Sequence, residues 1–163
     1  MNLETARCTI REFTVADIDA FMEYRNNNNW MRYQGFKGLT KDAYMEALCG
    51  NTSLEKGKQF AVINTETKQL IGDMYLKQNG DVFWLGYTVS PKYSRQGYAS
   101  EACTAVIHWV AEHGGTVIMA GSNPKNSASI SLLEKLGFTC LKEENGELVY
   151  LFDCVQRQSK PAE

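Results

Sequence analysis

The fold of this chain is decided by the stretch Leu85-Gly-Tyr-Thr-Val-Ser-Pro-Lys-Tyr-Ser-Arg-Gln-Gly-Tyr-Ala-Ser-Glu-Ala102. Residues 82–89 are rich in β-branched and aromatic side chains, as strands are, and Pro91 ends the strand because proline has no N–H for a ladder. Beyond a short turn, apolar residues recur with the spacing of one helix face, at Ala99, Ala102, Cys103, Val106, Ile107 and Val110. Gly114 then ends the helix. The sequence therefore predicts a strand, a tight turn and a helix in direct succession.

The turn itself has the features of an anion site. A strand that leads directly onto a helix N-terminus leaves backbone N–H groups without helical acceptors. Gly97 allows a ligand to approach the backbone closely, and Lys92 and Arg95 add positive charge. The turn lacks the Gly-Lys-Ser/Thr ending of a P-loop. On these residues alone, a phosphate-type site and an ordinary connection between a strand and a helix both remain open.

Composition bounds the class of protein. The chain has 163 residues, 44% of them hydrophobic and 22% charged, which suits one domain with a sizeable core. No apolar run approaches the roughly 18 residues of a membrane span, and the N-terminus lacks the apolar segment of a signal peptide. A formal net charge of -2, without any basic run, argues against a nucleic-acid surface. We therefore expect neither membrane nor nucleic acid as a partner.

The cysteines and histidines predict no metal site. Five scattered cysteines without a CxxC motif indicate reduced thiols in the cytoplasm rather than a disulfide framework. Cys103 and Cys140 are expected to be small buried residues, not nucleophiles. His108 and His113 lie off the apolar stripe of their helix, so solvated side chains are expected.

Periodicity and turn signals predict seven strands, namely 7–13, 59–64, 69–77, 82–89, 116–120, 138–142 and 147–153. Four helices are predicted at 15–26, 41–48, 99–113 and from 126 or 127 to 136, with Thr14 and Thr40 as N-caps. Asn79-Gly80 is a strong hairpin signal and makes the third and fourth strands antiparallel. Residues 1–163 form one predicted domain whose tail, 156–163, is frayed. Trp30, Tyr33 and Phe36 follow the first helix and belong either to a flap packed on the core or to a substrate lid.

The order of elements and two motifs resemble the GNAT acyltransferase superfamily, over essentially the whole chain. The matching residues are Gly86, Tyr87, Pro91, the run 96–102, Asn126, Ser129 and the run 133–138. The motifs resemble most the branch that contains ribosomal-protein N-terminal acetyltransferases and some antibiotic acetyltransferases. The resemblance implies a mixed α/β fold: a mostly antiparallel central sheet of about seven strands, splayed between the fourth and fifth and flanked by about four helices.

The resemblance also implies acetyl-CoA as a cosubstrate. Its pyrophosphate would lie on the turn formed by Ser94, Arg95, Gln96, Gly97, Tyr98 and Ala99, where Ser94 stands in place of the family's usual Gln or Arg. Its pantetheine arm would pair with the strand edge formed by Tyr87, Thr88 and Val89, with Asn126 and Ser129 contacting it from the second motif. Tyr98 is expected to touch the cofactor more closely than Tyr87. This implied cosubstrate agrees with the residues themselves, because the turn suits a diphosphate and an open strand edge can receive an extended amide chain.

The catalytic groups are less well defined. Many members of the superfamily use a Glu as base and a Tyr as acid, and the corresponding places here hold Trp84 and Leu133, which transfer no protons. Ser129 is the candidate acid or thiolate-stabilising hydroxyl, with support of the helix start as the alternative. Asp73, placed on one strand face with Ile71 and Tyr75, and Asp81 are candidate bases, with solvated surface carboxylates as the alternative. Glu101 is expected to complement the helix N-terminus.

These observations predict an acetyl-CoA-dependent N-acetyltransferase that needs no metal. The acceptor would be a primary amine on a small molecule or a protein N-terminus, attacking the thioester directly in a ternary complex, with the Val89 N–H facing the developing oxyanion. The missing base favours α-amines, with pKa of about 8, over lysines at about 10.4. A noncatalytic CoA-binding sensor is the alternative, and a homodimer is left open. The predicted hairpin disfavours a nucleotide-binding α/β module.

Overall fold

A computed structural model describes residues 1–158 of the chain. Its strands are β1 (Leu3–Glu4), β2 (Cys8–Glu12), β3 (Lys58–Asn64), β4 (Leu70–Asn79), β5 (Val82–Val89), β6 (Val117–Ser122), β7 (Thr139–Glu144) and β8 (Glu147–Asp153). Its helices are α1 (Ile18–Arg25), α2 (Lys41–Cys49), α3 (Tyr98–Glu112), α4 (Ser127–Leu136) and α5 (Cys154–Gln158), with 3₁₀ turns at Val15–Asp17 and Pro91–Tyr93. None of these helices is long and apolar enough to cross a membrane.

The strands form one sheet in the order β1-β2-β3-β4-β5-β6-β8-β7. Within the described part, β5 and β6 are the one parallel pair and the other neighbours are antiparallel. This confirms the predicted mixed, mostly antiparallel sheet. It has one strand more than predicted, because β1 is only two residues long and too short to show a period. A fifth helix, α5, is not predicted; it begins at Cys154 and includes the first residues of the expected frayed tail, 156–158, whereas residues 159–163 lie outside the described residues.

The sheet is splayed between β5 and β6, as predicted. These strands pair only between Val82–Trp84 and Val117–Met119. Past Trp84, β5 continues for five residues and β6 continues to Ser122 without further pairing between them. A wedge-shaped cleft therefore opens between the last residues of the two strands.

Each face of the sheet has its own buried cluster. On one face, Leu76 and Leu85 belong to the same buried cluster as Val106 of α3. On the other face, Phe21 of α1 and Tyr44 of α2 are buried with their ring centroids 5.1 Å apart. One face of the sheet is thus covered by α3 and the other by α1, α2 and the loop between them.

A bulge in β4 corrects the predicted face of Asp73. Val62 pairs with Gly72 and Ile63 with Leu70, which leaves Ile71 as the extra residue. Ile71 consequently joins the cluster under α3, whereas Leu70 joins the cluster under α1 and α2. The expectation that Asp73 shares a face with Ile71 is wrong, since a bulge shifts the alternation of side chains by one residue.

The first helical segment begins with the predicted capping contact. Asp17 accepts hydrogen bonds from the Thr14 N–H at 2.8 Å and from Arg11 Nη1 at 2.7 Å. Burial by itself would raise the pKa of Asp17, but the Arg11 guanidinium and the Thr14 donors outweigh it and lower the pKa. The ionised form of Asp17 therefore stabilises the folded state.

Replacing Asp17 with asparagine should make stability less dependent on pH. A carboxylate whose folded pKa is lowered contributes stability above its unfolded pKa, about 3.9, and loses it as pH falls through the folded value. We expect Asp17→Asn to cost about 1–2 kcal/mol at pH 7 and less at pH 3. Urea denaturation at both pH values measures this, and an equal cost at both would contradict the assigned role.

Candidate active site

The turn between β5 and α3 presents a row of free backbone donors. Arg95 and Gly97 have positive φ values, 59° and 83°, which turn successive N–H groups to one side. Glu101 donates its N–H to the Gly97 carbonyl at 3.1 Å, whereas the N–H groups of residues 95–100 have no acceptor in the part of the chain that the structure describes. These donors lie at the N-terminus of a helix of 15 residues. The predicted anion-binding geometry is therefore present.

Arg7 holds this turn in place. Its Nη1 donates to the Gln96 carbonyl at 2.9 Å, and its guanidinium lies 4.1 Å from the centroid of the Tyr98 ring. Its Nε donates to Glu101 at 2.9 Å, and this contact with Glu101 raises the pKa of Arg7. Glu101 thus anchors the N-terminal segment, besides standing in the first turn of α3. Sequence reasoning missed Arg7 because no local pattern links it to a turn about ninety residues away.

Two residues predicted at the turn are directed elsewhere. The Tyr98 side chain is buried, and its hydroxyl accepts from Asn64 Nδ2 at 3.3 Å, so only its backbone faces the turn. The expectation that Tyr98 touches a cofactor more closely than Tyr87 is therefore not supported by its side chain. Lys92 Nζ lies 2.8 Å from the carboxylate of Glu23 on α1. The remaining cation of the turn, Arg95, is exposed.

The edge of β5 supplies backbone groups to the cleft. The Ser90 N–H donates to the Ile71 carbonyl of β4 at 2.7 Å. Successive residues of a strand direct their N–H and C=O groups to opposite edges, so those of Tyr87 and Val89 face the cleft. The structure does not bring Thr88 there, because its backbone faces β4 and its buried hydroxyl lies 3.2 Å from Arg25 Nη2.

Tyr87 and Ser129 meet in the structure. Their hydroxyl oxygens lie 2.9 Å apart, although the residues belong to β5 and α4. Asn126 caps α4 by accepting the Ser129 N–H at 3.3 Å, which fixes where the serine points. Burial raises the pKa of Tyr87, with a smaller opposing effect from Ser129, so its phenol stays protonated. The three residues from the two motifs thus form one hydroxyl-bearing wall of the cleft.

Asp73 is buried in a network beneath β5. It is 1% exposed, and it accepts from Arg25 Nη2 at 2.6 Å, Tyr24 Oη at 2.5 Å and Gln59 Nε2 at 3.2 Å. The alternative of a solvated Asp73 is therefore wrong, because α1 covers this face. With three donors around it, the carboxylate is satisfied within this buried network, and its role as a base stays a prediction. Asp81 is exposed and accepts from Thr116 Oγ1 at 2.8 Å, as expected of a surface carboxylate.

The α1–α2 loop (residues 26–40) reaches both walls of the cleft. The Trp30 indole Nε1 donates to the Val89 carbonyl at 2.9 Å, and the Tyr33 hydroxyl donates to the Lys125 carbonyl at 3.5 Å. Phe36 packs with the buried cluster of α1 and α2, and its carbonyl accepts from Arg25 Nη1 at 3.1 Å. The structure therefore agrees in part with both alternatives for this loop. Phe36 packs on the core, whereas Trp30 and Tyr33 contact the walls of the cleft.

The remaining candidates lie away from the cleft or are inert. Cys103 is fully buried, which raises the pKa of its thiol, whereas Cys140 is exposed on β7 and the expectation that it is buried is wrong. His108 and His113 are exposed, as expected. Leu133, at the place of the family's usual acid, is buried in the core. Among residues 1–158 no group of three His, Cys, Asp or Glu side chains could hold a metal ion.

The comparison with known families decides the assignment. The model for the acetyltransferase (GNAT) domain matches residues 7–139. The chain belongs to the GNAT acetyltransferase family. The match includes the turn, the β5 edge and both Asn126 and Ser129, so the family assignment covers the whole of the cleft described above.

Individual relatives agree with this GNAT assignment. The chain is 30% identical over 140 residues to the uncharacterized N-acetyltransferase YnaD of Bacillus subtilis, covering 84% of this chain and 82% of the relative. A solved GNAT acetyltransferase from Bacillus anthracis has a TM-score of 0.82 at 24% identity, covering 95% of this chain and 99% of that one. The ribosomal L7/L12 α-N-protein acetyltransferase RimL, solved with coenzyme A, has a TM-score of 0.80 at 14% identity, covering 94% and 98%. The last two similarities concern the fold.

Proposed function

We propose that this GNAT protein transfers the acetyl group of acetyl-CoA to a primary amine by direct attack in a ternary complex. The observation that carries the proposal is the continuity of three features: the unpaired N–H groups of residues 95–100, the open edge at Val89 and Tyr87, and the paired hydroxyls of Tyr87 and Ser129. In that order they suit a diphosphate, an extended amide chain and a thiolate. RimL, which is solved with coenzyme A, has a similar fold.

The chemistry follows from these positions. The amine nitrogen bonds to the thioester carbon while the carbonyl oxygen gains charge beside the Val89 N–H, which stabilises it. The carbon–sulfur bond then breaks, and the departing thiolate accepts a hydrogen bond from the Ser129 hydroxyl, which the buried Tyr87 phenol supports, and takes its proton from solvent. The nitrogen loses its proton to solvent. Orientation by the turn and the strand edge supplies much of the acceleration.

Removal of the Ser129 hydroxyl tests this mechanism. We expect Ser129→Ala to lower kcat by about 100-fold, because the departing thiolate loses its hydrogen-bond donor, with a much smaller effect on the KM for acetyl-CoA. The control is Ser131→Ala, an exposed serine on the same helix. Free-thiol release across α-amine peptides, lysine peptides, polyamines and aminoglycosides measures the rate. Tight acetyl-CoA binding without release on any amine would favour the noncatalytic sensor.

Trp30 provides a second prediction, on cosubstrate affinity. Its indole N–H occupies the Val89 carbonyl, an acceptor on the edge proposed for the pantetheine arm. We expect Trp30→Phe to tighten acetyl-CoA binding by about three- to tenfold, the scale of one hydrogen bond, because the acceptor becomes free while an aromatic side chain remains. Calorimetric titration measures this, with Trp109→Phe on α3 as the control. Weaker binding by Trp30→Phe would show that the indole supports the edge instead.

The state of the cysteine thiols indicates the cellular compartment. All five cysteines are free, and three of them, Cys8, Cys103 and Cys154, are buried. Unpaired thiols are typical of proteins from reducing compartments. We propose that the enzyme acts in the cytoplasm.

A further inference from the structure

A groove of about 780 Å³ lies on the side of the sheet away from α3, beside the β4–β5 hairpin. We call it the hairpin groove, and it is lined by Glu55, Tyr75, Lys77, Gln78, Asn79, Gly80 and Trp84. Trp84 is the last residue of β5 that pairs with β6, so the groove begins where the cleft opens. A ligand in the hairpin groove therefore approaches the proposed thioester site from the side opposite the cofactor turn.

The wall of the groove next to the cleft is formed by a glycine–tyrosine pair of the hairpin. Gly86 pairs with Tyr75 across the hairpin, and a Cβ on Gly86 would lie 3.3 Å from the Tyr75 Cβ. Because Gly86 has no side chain, the Tyr75 side chain lies directly against the β5 backbone between Trp84 and Thr88 on this face. An acceptor that packs on Tyr75 therefore lies beside the strand that carries Tyr87.

The opposite wall is a fixed turn that carries a carboxylate. The Gln78 N–H donates to the Leu54 carbonyl at 2.8 Å, which holds the turn against the end of β4. Gly57 lies so close to Tyr75 that a Cβ there would be 2.2 Å from the Tyr75 hydroxyl oxygen. Glu55 lies between these two anchors and lines the groove.

The hairpin groove contains one negatively and one positively charged side chain, and neither is paired with an opposite charge. Neither Glu55 nor Lys77 forms an ion pair with any residue in the described range 1–158. A polyamine or aminoglycoside carries several positive charges and would find one carboxylate and a repelling ammonium. An α-amino compound with a free carboxylate would find a partner for each of its charges. Trp84, 38% exposed, offers an apolar surface beside them.

We infer that the acceptor of this enzyme is a zwitterionic α-amino compound, an amino acid or short peptide whose carboxylate is bound by Lys77 while its amine enters past Glu55. The inference rests on the proposed function and names its substrate class. Glu55 and Lys77 determine specificity in it, and neither takes part in the acyl transfer itself. Trp84, which stands where the family usually has its base, becomes part of the acceptor surface.

The test compares leucyl-glycine, leucyl-glycinamide and spermidine as acceptors. We expect wild-type protein to acetylate leucyl-glycine with a kcat/KM about tenfold above that for the amide, the scale of a hydrogen bond between charged groups. Lys77→Met should bring that ratio to about one, and Glu55→Gln should lower kcat/KM for both peptides. The control is Lys56→Met, an exposed lysine of the same turn that does not line the groove.

The outcomes separate this inference from the proposed function. Equal use of the amide or of spermidine, or an unchanged ratio in Lys77→Met, would overturn the inference and leave the acetyltransferase standing. If no amine releases thiol, the proposed function fails, and calorimetric titration of leucyl-glycine into the CoA-saturated protein then tests the groove by itself. Binding that Lys77→Met loses would support the zwitterion site, and no binding to the wild type would overturn it.

Discussion

Replacing Gly97 with glutamate is expected to abolish acetyl-CoA binding. Gly97 has φ of 83°, lies at the N-terminus of α3 and is flanked by the free N–H groups of the turn. A carboxylate there would repel the diphosphate, and its Cβ would lie 3.4 Å from Arg7 Nη2, which holds the turn in shape. Losing one or two charge-assisted hydrogen bonds corresponds to at least about a 100-fold increase in Kd.

Gly146→Glu is the matched control for this variant. Gly146 also has positive φ, 78°, and a Cβ there would meet no atom within 4 Å. It lies in the β7–β8 hairpin, remote in sequence from the turn, so it reproduces the backbone strain of roughly 1 kcal/mol and the added charge. Calorimetric titration of acetyl-CoA into both variants measures the effect. Equal affinities in Gly97→Glu and Gly146→Glu would refute the assignment of this turn to the diphosphate.

Replacing Asp73 with asparagine is expected to cause the largest loss of stability. Arg25 is 4% exposed and its Nη2 lies 2.6 Å from Asp73, so neutralising the carboxylate leaves a buried guanidinium without its counter-charge. Removing one partner of a buried pair costs about 3–5 kcal/mol. Arg25 Nε already has no hydrogen-bond partner in the described residues, so this side chain has few other contacts that could offset the lost counter-charge.

The matched control for Asp73→Asn is Asp19→Asn. Asp19 pairs with Lys41 at 2.9 Å, but its side chain is 79% exposed, and pairs of this kind contribute at most about 1 kcal/mol. Urea denaturation of both variants measures the free energy of unfolding. A cost for Asp73→Asn within about 1 kcal/mol of the control would show that the buried network is not essential to the fold. Because Arg25 also contacts Thr88 and the Phe36 carbonyl, we expect Asp73→Asn to disturb the α1–α2 loop as well.

Most of the fold could be predicted because its signals are local. The Asn79-Gly80 hairpin, the Thr40 cap and the stripe of α3 each depend on residues within a few positions of one another, and each is found in the structure. The two-residue β1 and the bulge at Ile71 could not be predicted. A strand that short has no period, and a bulge is set by the pairing partner, here Val62.

By itself, the sequence determined the turn onto α3, with its glycine at positive φ, and the two motifs that identify the GNAT family. These follow from backbone sterics and helix ends, which are properties of neighbouring residues. Only the tertiary structure decided the contacts between distant positions: Arg7 on the turn, Asp73 on Arg25, Trp30 on Val89, and Glu55 facing the same groove as Lys77. The physical reason is that a buried charge or hydrogen-bond donor pairs with whichever group the fold places beside it. The separation of two residues along the sequence does not indicate that pairing.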